Sequence, residues 1–324
     1  MNINECHRIS IVIPVYLGEK TLLHLIEEIE PLTYENRTLF GLEYIICEVI
    51  LVHDCGPDRS DMVIEELSAK YSFVTPIWLS RNYGQHAASI AGMSSSTGDW
   101  VVTIDEDGQQ NPADIKNMLD EAVKKSLQLV YAFPTNLPPH GWLRNILSRF
   151  TKKITTKLLA IDMIDFNSYR MIDGEIARTL AAYCGNKVYL DVALNWIVST
   201  VGHCPLELRK GSERQSGYSY YKLFSHFWNL ILTSGTRPLR LITILGAISL
   251  NIAILITLYA LYWKFIRYSS VEGWASLLIV VSFFSGITLI SIGVIAEYLA
   301  VTLGIVMGKP LYVVSSKPVR NFNR

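Results

Sequence analysis

Apolar and polar positions over the first two thirds of the chain alternate between short apolar runs and amphipathic stretches. Ile9 to Val15 is one such run, followed by Gly18 and a helical pattern from about Thr21 to Ile29. Tyr44 to Val52 predicts a second strand, closed by His53-Asp54-Cys55-Gly56-Pro57, and Ser60 is placed to cap a helix reaching about Tyr71. A third strand is expected over Val74–Leu79, a helix over Gln85–Met93 and a fourth strand over Trp100–Ile104. Asn111-Pro112 then starts a helix with proline in its first turn, and Leu127 to Phe133 reads as a fifth strand. Strands that are apolar on both faces and alternate with helices predict an α/β fold, a mainly parallel sheet covered on both sides. Ligands of such sheets bind beyond the carboxyl ends of the strands. Asp54, Arg81, Asp105 and Asp107 all fall at those ends.

The last third is different. Leu241–Trp263 and Trp274–Ala296 contain no Asp, Glu, Lys, Arg or His. Each is long enough for a helix to cross the hydrocarbon layer, which takes about 20 residues. The short polar connection Lys264–Gly273 makes them a helical hairpin, with Trp263 and Trp274 at the interfaces. Arg237 and Arg240 precede it, and Lys309, Lys317, Arg320 and Arg324 follow it, so the positive-inside tendency puts both termini in the cytoplasm. No charged and apolar leader of the secretory kind is visible at the N-terminus. The expected organisation is a cytoplasmic domain over 1–210, an interface helix over 211–237, two transmembrane helices within 238–303 and a cytoplasmic tail over 304–324. Glu297 is expected at the cytoplasmic end of the second span, snorkelling or paired.

Composition narrows the chemistry. Lys plus Arg and Asp plus Glu both total 29, and no basic strip is interleaved with aromatics, so no nucleic-acid partner is expected. Five scattered cysteines without a Cys-x-x-Cys pair, and seven histidines without ligand spacing, argue against a zinc site or a disulfide framework. The chemistry concentrates instead in Trp100-Val-Val-Thr-Ile-Asp105-Glu106-Asp107-Gly-Gln109, where an apolar run stops at two carboxylates one residue apart. On an extended strand end Asp105 and Asp107 project to one side. Two hard oxygen donors suit Mg²⁺ or Mn²⁺ bridging to phosphates.

Pro14-Val-Tyr16 with Glu19, Val52-His-Asp54, Ser80-Arg81-Asn82-Tyr83-Gly84-Gln85-His86 and Ile104-Asp105-Glu106-Asp107-Gly108-Gln109 occur in order. Together they resemble the inverting glycosyltransferases of family 2, with a GT-A fold. Arg214-Gln-Ser-Gly217-Tyr-Ser219-Tyr-Tyr221 and Thr236-Arg237-Pro238-Leu239-Arg240 narrow the resemblance. They are similar to the polyprenyl-phosphate glycosyltransferases, a group that includes dolichol-phosphate mannose synthase and undecaprenyl-phosphate aminoarabinose-type transferases. The resemblance implies transfer of a sugar from a nucleotide-sugar, a UDP- or dTDP-sugar, to polyprenyl phosphate. It implies that Pro14, Tyr16, Glu19 and Asp54 hold the nucleoside. Asp105 would contact ribose or metal-bound water, Asp107 would ligate the metal, and Gln109 would border the sugar pocket. A homo-oligomer, often a tetramer, is implied too. Two departures stand out. His53-Asp54-Cys55-Gly56 replaces the usual Asp-Asp-Gly-Ser, and Ser168 in Asn167-Ser168-Tyr169-Arg170 stands where some relatives carry an acid proposed as catalytic base.

Such a base is dispensable. A phosphate monoester has its second pKa near ~6 and is already a dianionic nucleophile at neutral pH. The work left is placement and stabilisation of the leaving diphosphate. Asp191 is positioned either to orient sugar hydroxyls or simply to start a helix. Cations for the acceptor come from a basic amphipathic stretch at about 142–160, which reads as a helix lying on a membrane. The resemblance makes Arg144, then Arg149, the acceptor-phosphate candidates, with Ser168 counted among the acceptor-phosphate residues. Arg214 suits either the diphosphate or the acceptor phosphate. Arg81 could reach the diphosphate or anchor its own loop. Two other readings remain open: a membrane protein that binds nucleotide-sugar without turnover, and a processive polysaccharide synthase. The chain lacks the Gln-x-x-Arg-Trp motif of the latter.

Overall fold

The strand β1 (His7–Val15) is buried on both faces, with Ile9, Ile11 and Ile13 in one apolar cluster and Val12 in another. That double burial places it mid-sheet. The structure is a computed structural model describing residues 6–135, 167–185, 189–209 and 274–319, with scattered positions between 242 and 262. β1 pairs in parallel with β3 (Glu43–His53) and β5 (Trp100–Thr103), and β3 pairs in parallel with β4 (Val74–Leu79). Beyond β5 come β7 (Arg170–Asp173), β6 (Leu129–Pro134) and β8 (Val201–Leu206). The order is β8-β6-β7-β5-β1-β3-β4-β9, with β2 (Asn36–Arg37) paired to β3 and β9 (Val314–Ser315) at the far edge.

Helices cover both faces, as expected of an α/β sheet. Helices α1 (Leu22–Ile29), α2 (Ser60–Lys70) and α4 (Ile115–Lys124) pack on one side through Leu25, Ile26, Leu67 and Met118. On the other side lie α3 (Gln85–Ser95), α5 (Gly174–Tyr183) and α6 (Leu190–Ile197), which contribute Ile90, Leu180 and Leu194. The chain runs outward from β1 through β3 to β4, then returns through α3 to β5 on the other side of β1. The strand order therefore reverses between β1 and β5, and in such sheets the ligand site lies at the carboxyl ends of the strands at that switch point.

Several expectations are revised. β7 is antiparallel to both β5 and β6, so the sheet is mixed. The helix after β3 starts at Ser60 itself. The Ser60 hydroxyl donates to Asp58 Oδ1 at 2.6 Å and accepts the Gly18 N–H at 2.8 Å, so it is not a cap. Asp58, the stronger acceptor, takes the Ser60 N–H instead. The tail after residue 310 joins the sheet: Trp78 and Leu79 pair with Ser315 and Val314, and the Ser80 N–H donates to the Val313 carbonyl at 2.9 Å. Leu311 and Tyr312 pack against the second apolar cluster, and the Tyr312 and Ser94 hydroxyls meet at 3.0 Å.

A separate unit carries α7 (Trp274–Val306), whose 33 residues make about 50 Å of helix. It runs past the expected end at Ala296, because the residues beyond, Glu297 apart, continue the apolar run without a proline. Phe283–Leu303 is the stretch long and apolar enough to cross a bilayer, at mean hydropathy 1.9 with none of it buried. Glu297 falls inside that window instead of at its border. It is the one such helix among the described residues. The described positions between 242 and 262 are helical, but the run 241–263 as a whole, and with it the two-helix hairpin, lies outside the described residues. So do the basic stretch at 142–160 and the interface helix at 211–237.

Candidate active site

The acidic segment follows β5 directly. The strand stops at Thr103, and the Ile104 N–H still bonds the Val12 carbonyl at 3.1 Å. Asp105 and Asp107 therefore sit in a turn, held by turn chemistry and not by a continued pleat. The Asp107 Oδ1 accepts the Gln109 N–H at 3.0 Å. Its Oδ2 carries no hydrogen bond among the described residues.

Asp105 is surrounded by neutral donors. Gln85 Nε2 donates to Oδ1 at 2.6 Å, while Ser168 Oγ at 2.5 Å and Gln110 Nε2 at 3.1 Å donate to Oδ2. The Gln110 amide oxygen also accepts the Asp105 N–H at 2.8 Å. Burial pushes the Asp105 pKa up, the Ser168 hydrogen bond opposes it, and the nearby Asp107 charge adds to the upward push.

Glu106 turns to the opposite side. Its carboxylate accepts the Tyr16 N–H at 2.8 Å and the Leu17 N–H at 2.9 and 3.1 Å. It thereby ties the acidic turn to the end of β1. Tyr16 itself is 40% exposed. Gly56 packs directly on this loop, where a Cβ would come within 1.7 Å of the Tyr16 carbonyl oxygen, so only glycine fits. Glu19 closes the adjoining turn: its N–H donates to Asp58 Oδ2 at 3.0 Å, and its carboxylate accepts the Arg59 N–H at 3.2 Å.

Asp54 ends β3 and is 3% exposed. Its two oxygens accept the Tyr83 N–H at 2.7 Å and the Gly84 N–H at 2.8 Å. Gly84 has φ +91° and opens α3, which delivers Gln85 to Asp105. Burial pushes the Asp54 pKa up to about 6 against the pull of those two N–H bonds. Its carboxylate thus faces the Tyr83–Gly84 loop. Arg81 is exposed and lies over the Tyr83 ring, 4.7 Å from its centroid.

Pro14, Tyr16, Glu19, Asp54, Asp105, Asp107 and Gln109 thus border the carboxyl ends of β1, β3 and β5. Asp191 does not face open space: its carboxylate bonds the Arg170 guanidinium and accepts the Tyr131 hydroxyl at 2.9 Å, all buried. Ser168 reaches Asp105. Arg144, Arg149 and Arg214 lie outside the described residues.

Gln85, Glu106, Gln110 and Arg170 were missed in the sequence. No local pattern marks Glu106, because the segment is a turn and its partners, the Tyr16 and Leu17 N–H groups, come from the end of β1. Arg209 was missed as well. Its N–H donates to the Gln109 carbonyl at 2.9 Å and its guanidinium bonds Glu28 and Asn111. It also lines a cleft of about 480 Å³ with Asn111, Asp114, Asn117 and Leu206, which neither Asp105 nor Asp107 borders.

Among the described residues no three His, Cys, Asp or Glu side chains gather as a metal site. Two carboxylates, one with an open oxygen, still fit a hard ion that takes most of its ligands from water and phosphate. Asp107, with one oxygen left open, could ligate such an ion, while both Asp105 oxygens already accept hydrogen bonds.

This chain belongs to glycosyl transferase family 2, whose model matches residues 10–179, a span containing the β1 loop, Asp54, the acidic turn and Ser168. Among solved structures it is similar to S. aureus TarS 1–349 in complex with UDP-GlcNAc. The TM-score is 0.46 at 15% identity, over 70% of this chain and 66% of that one. It is also similar to glucosyl-3-phosphoglycerate synthase from Mycobacterium tuberculosis in complex with Mn²⁺, UDP-glucose and phosphoglyceric acid. There the TM-score is 0.48 at 18% identity, over 71% of this chain and 79% of that one.

Proposed function

We propose that this glycosyltransferase moves a sugar, with inversion, from a UDP- or dTDP-sugar to polyprenyl phosphate at the cytoplasmic face of a membrane. The products are a polyprenyl-phospho-sugar and a nucleoside diphosphate. The observation that carries the donor half is the turn after β5, where Asp107 keeps one oxygen open beside the half-buried, hydrogen-bonded Asp105. The lipid half is supported by the apolar stretch Phe283–Leu303 and by the sequence motifs around Arg214 and Arg237.

In this reading Asp107, with Asp105 behind it, holds Mg²⁺ or Mn²⁺. When bound, the ion supplies Lewis-acid stabilisation of the departing diphosphate. The protein's own groups do the placing. Glu106 pins the Tyr16–Leu17 turn against which the nucleoside would rest, and Asp54 pins the Tyr83–Gly84 loop. No residue has to remove a proton, because the acceptor phosphate is dianionic near neutral pH. The burial of Asp191 on Arg170 agrees with a reaction that proceeds without a base there. Arg144, Arg149 and Arg214 would supply positive charge to phosphate oxygens.

The test is incubation of the purified protein in detergent with undecaprenyl phosphate, Mn²⁺ or Mg²⁺ and a panel of UDP- and dTDP-sugars, read by mass spectrometry of the lipid fraction. A lipid-linked monosaccharide is expected. Polymer would mark a processive synthase, and donor binding without turnover a non-catalytic protein. Arg144→Ala is expected to raise the KM for lipid phosphate more than that for the donor. An unchanged lipid KM would move the acceptor site elsewhere.

A further inference from the structure

We infer that Ser168 is a positioning residue for the Asp105 carboxylate, held by a chain of directed hydrogen bonds that ends on the buried Arg170–Asp191 ion pair. The inference rests on the reading that the turn at Asp105 and Asp107 binds the metal and diphosphate of the donor.

The β5–β7 register is the first support. Thr103 is the cross-strand partner of Arg170 in this antiparallel pair. Asp105 lies two residues past the end of β5 and Ser168 two residues before the start of β7, so this last pair of the ladder brings both connecting segments to the same end of it. Just beyond the ladder the Ser168 hydroxyl meets Asp105 Oδ2 at 2.5 Å.

The second support is that the donors along the chain can run only one way. The Arg170 guanidinium has no acceptor. It binds the Asp191 carboxylate, which also accepts the Tyr131 hydroxyl at 2.9 Å. Its Nε donates to Thr103 Oγ1 at 3.1 Å. That lone-pair contact leaves the Thr103 hydrogen for the Ser168 carbonyl, to which it donates. The Ser168 main chain is thus fixed from below. Its own Oγ accepts from Gln110 Nε2 at 2.9 Å, so its hydrogen is directed to Asp105. Arg170 and Asp191 are 3% and 6% exposed as side chains, so water does not compete at the base of the chain. Residues that orient a metal-binding carboxylate typically change metal affinity ~10–100-fold when removed.

The probes are Mn²⁺ and UDP, followed by Mn²⁺ electron paramagnetic resonance and by calorimetry of UDP binding, on the full chain in detergent. Ser168→Ala is expected to raise the Mn²⁺ concentration for half-maximal UDP binding by about tenfold with little change in melting temperature, and Ser168→Thr to restore it to within about twofold. Thr103→Val should give a similar shift, Thr103→Ser should not, and the Ser168→Ala/Thr103→Val pair should be no worse than the larger single effect. A wild-type Mn²⁺ requirement in Ser168→Ala, with a raised KM for lipid phosphate, overturns the inference and puts Ser168 on the acceptor. Asp107→Ala separates the two levels. If it too keeps Mn²⁺-dependent UDP binding, the site reading itself fails; if only Asp107→Ala loses it, the positioning role of Ser168 alone is wrong.

Discussion

Replacing Asp191 by alanine should damage the fold before it damages the chemistry. Arg170 and Asp191 form an ion pair whose side chains are 3% and 6% exposed, and Tyr131 donates its hydroxyl to the same carboxylate oxygen. Removing one partner of a buried pair strands the other charge in a poor solvent, at a cost of about 3–5 kcal/mol. In a domain of this size each kcal/mol lowers Tm by about 2–4 °C, so the expected fall is roughly 6–20 °C. Asp191→Asn keeps an acceptor for Tyr131 and should fall between wild type and Asp191→Ala. The double change Asp191→Leu/Arg170→Met removes both charges and should recover more than half of the lost stability, since apolar replacements of buried pairs are often neutral. Differential scanning fluorimetry in detergent measures all four proteins, with initial rates of sugar transfer at a temperature where each remains folded. An Asp191→Ala protein with wild-type Tm and a kcat reduced a hundredfold would refute this reasoning and make Asp191 a group that touches substrate.

Three further outcomes are expected. Glu106→Ala removes an acceptor shared by the Tyr16 and Leu17 N–H groups, which water replaces only partly. UDP should bind about tenfold more weakly by calorimetry, a net change of about 1–2 kcal/mol after that replacement, and an unchanged Kd would deny Glu106 any part in holding the loop. Truncation after Lys309 deletes β9 and the Tyr312–Ser94 contact, exposing the edge of β4. It should lower Tm by several degrees and promote association on size exclusion, and a monodisperse protein with unchanged Tm counts against a structural tail. Asp54 has an ordinary value of 3.8 raised to about 6 by burial, so between those pH values the folded protein keeps a proton that the unfolded chain has released. Its contribution to stability is complete below pH 3.8 and is lost as pH rises through about 6, by up to about 3 kcal/mol. Urea midpoints across this range should show a component that Asp54→Asn abolishes; identical slopes in both proteins would contradict it.

The strands most legible in the sequence were those buried on both faces. Val74–Leu79 was bounded to the residue, and β1, β3 and β5 to within a residue or two, because an apolar run between turn residues has few other uses. β7 was not legible. Its four residues begin with Arg170 and end with Asp173, and nothing local shows that the arginine is matched by Asp191 on a later helix. The position of the acidic pair was readable from where the apolar run stopped, but the reason offered, projection from one strand, was not the one the molecule uses. Glu106 was overlooked because its partners, Tyr16 and Leu17, lie about ninety residues earlier in the chain. Likewise Ser168 reads as a vacant acid position until the pairing of β5 with β7 brings the segments beyond them together and its hydroxyl meets Asp105.

The strand that finishes the sheet, Val314–Ser315, is encoded after the long apolar helix ending at Val306. A ribosome making this chain therefore delivers the edge partner of Trp78 and Leu79 only after that helix has been synthesised. Until then the nascent domain waits with one border unsealed, and its maturation is tied to the synthesis of that helix.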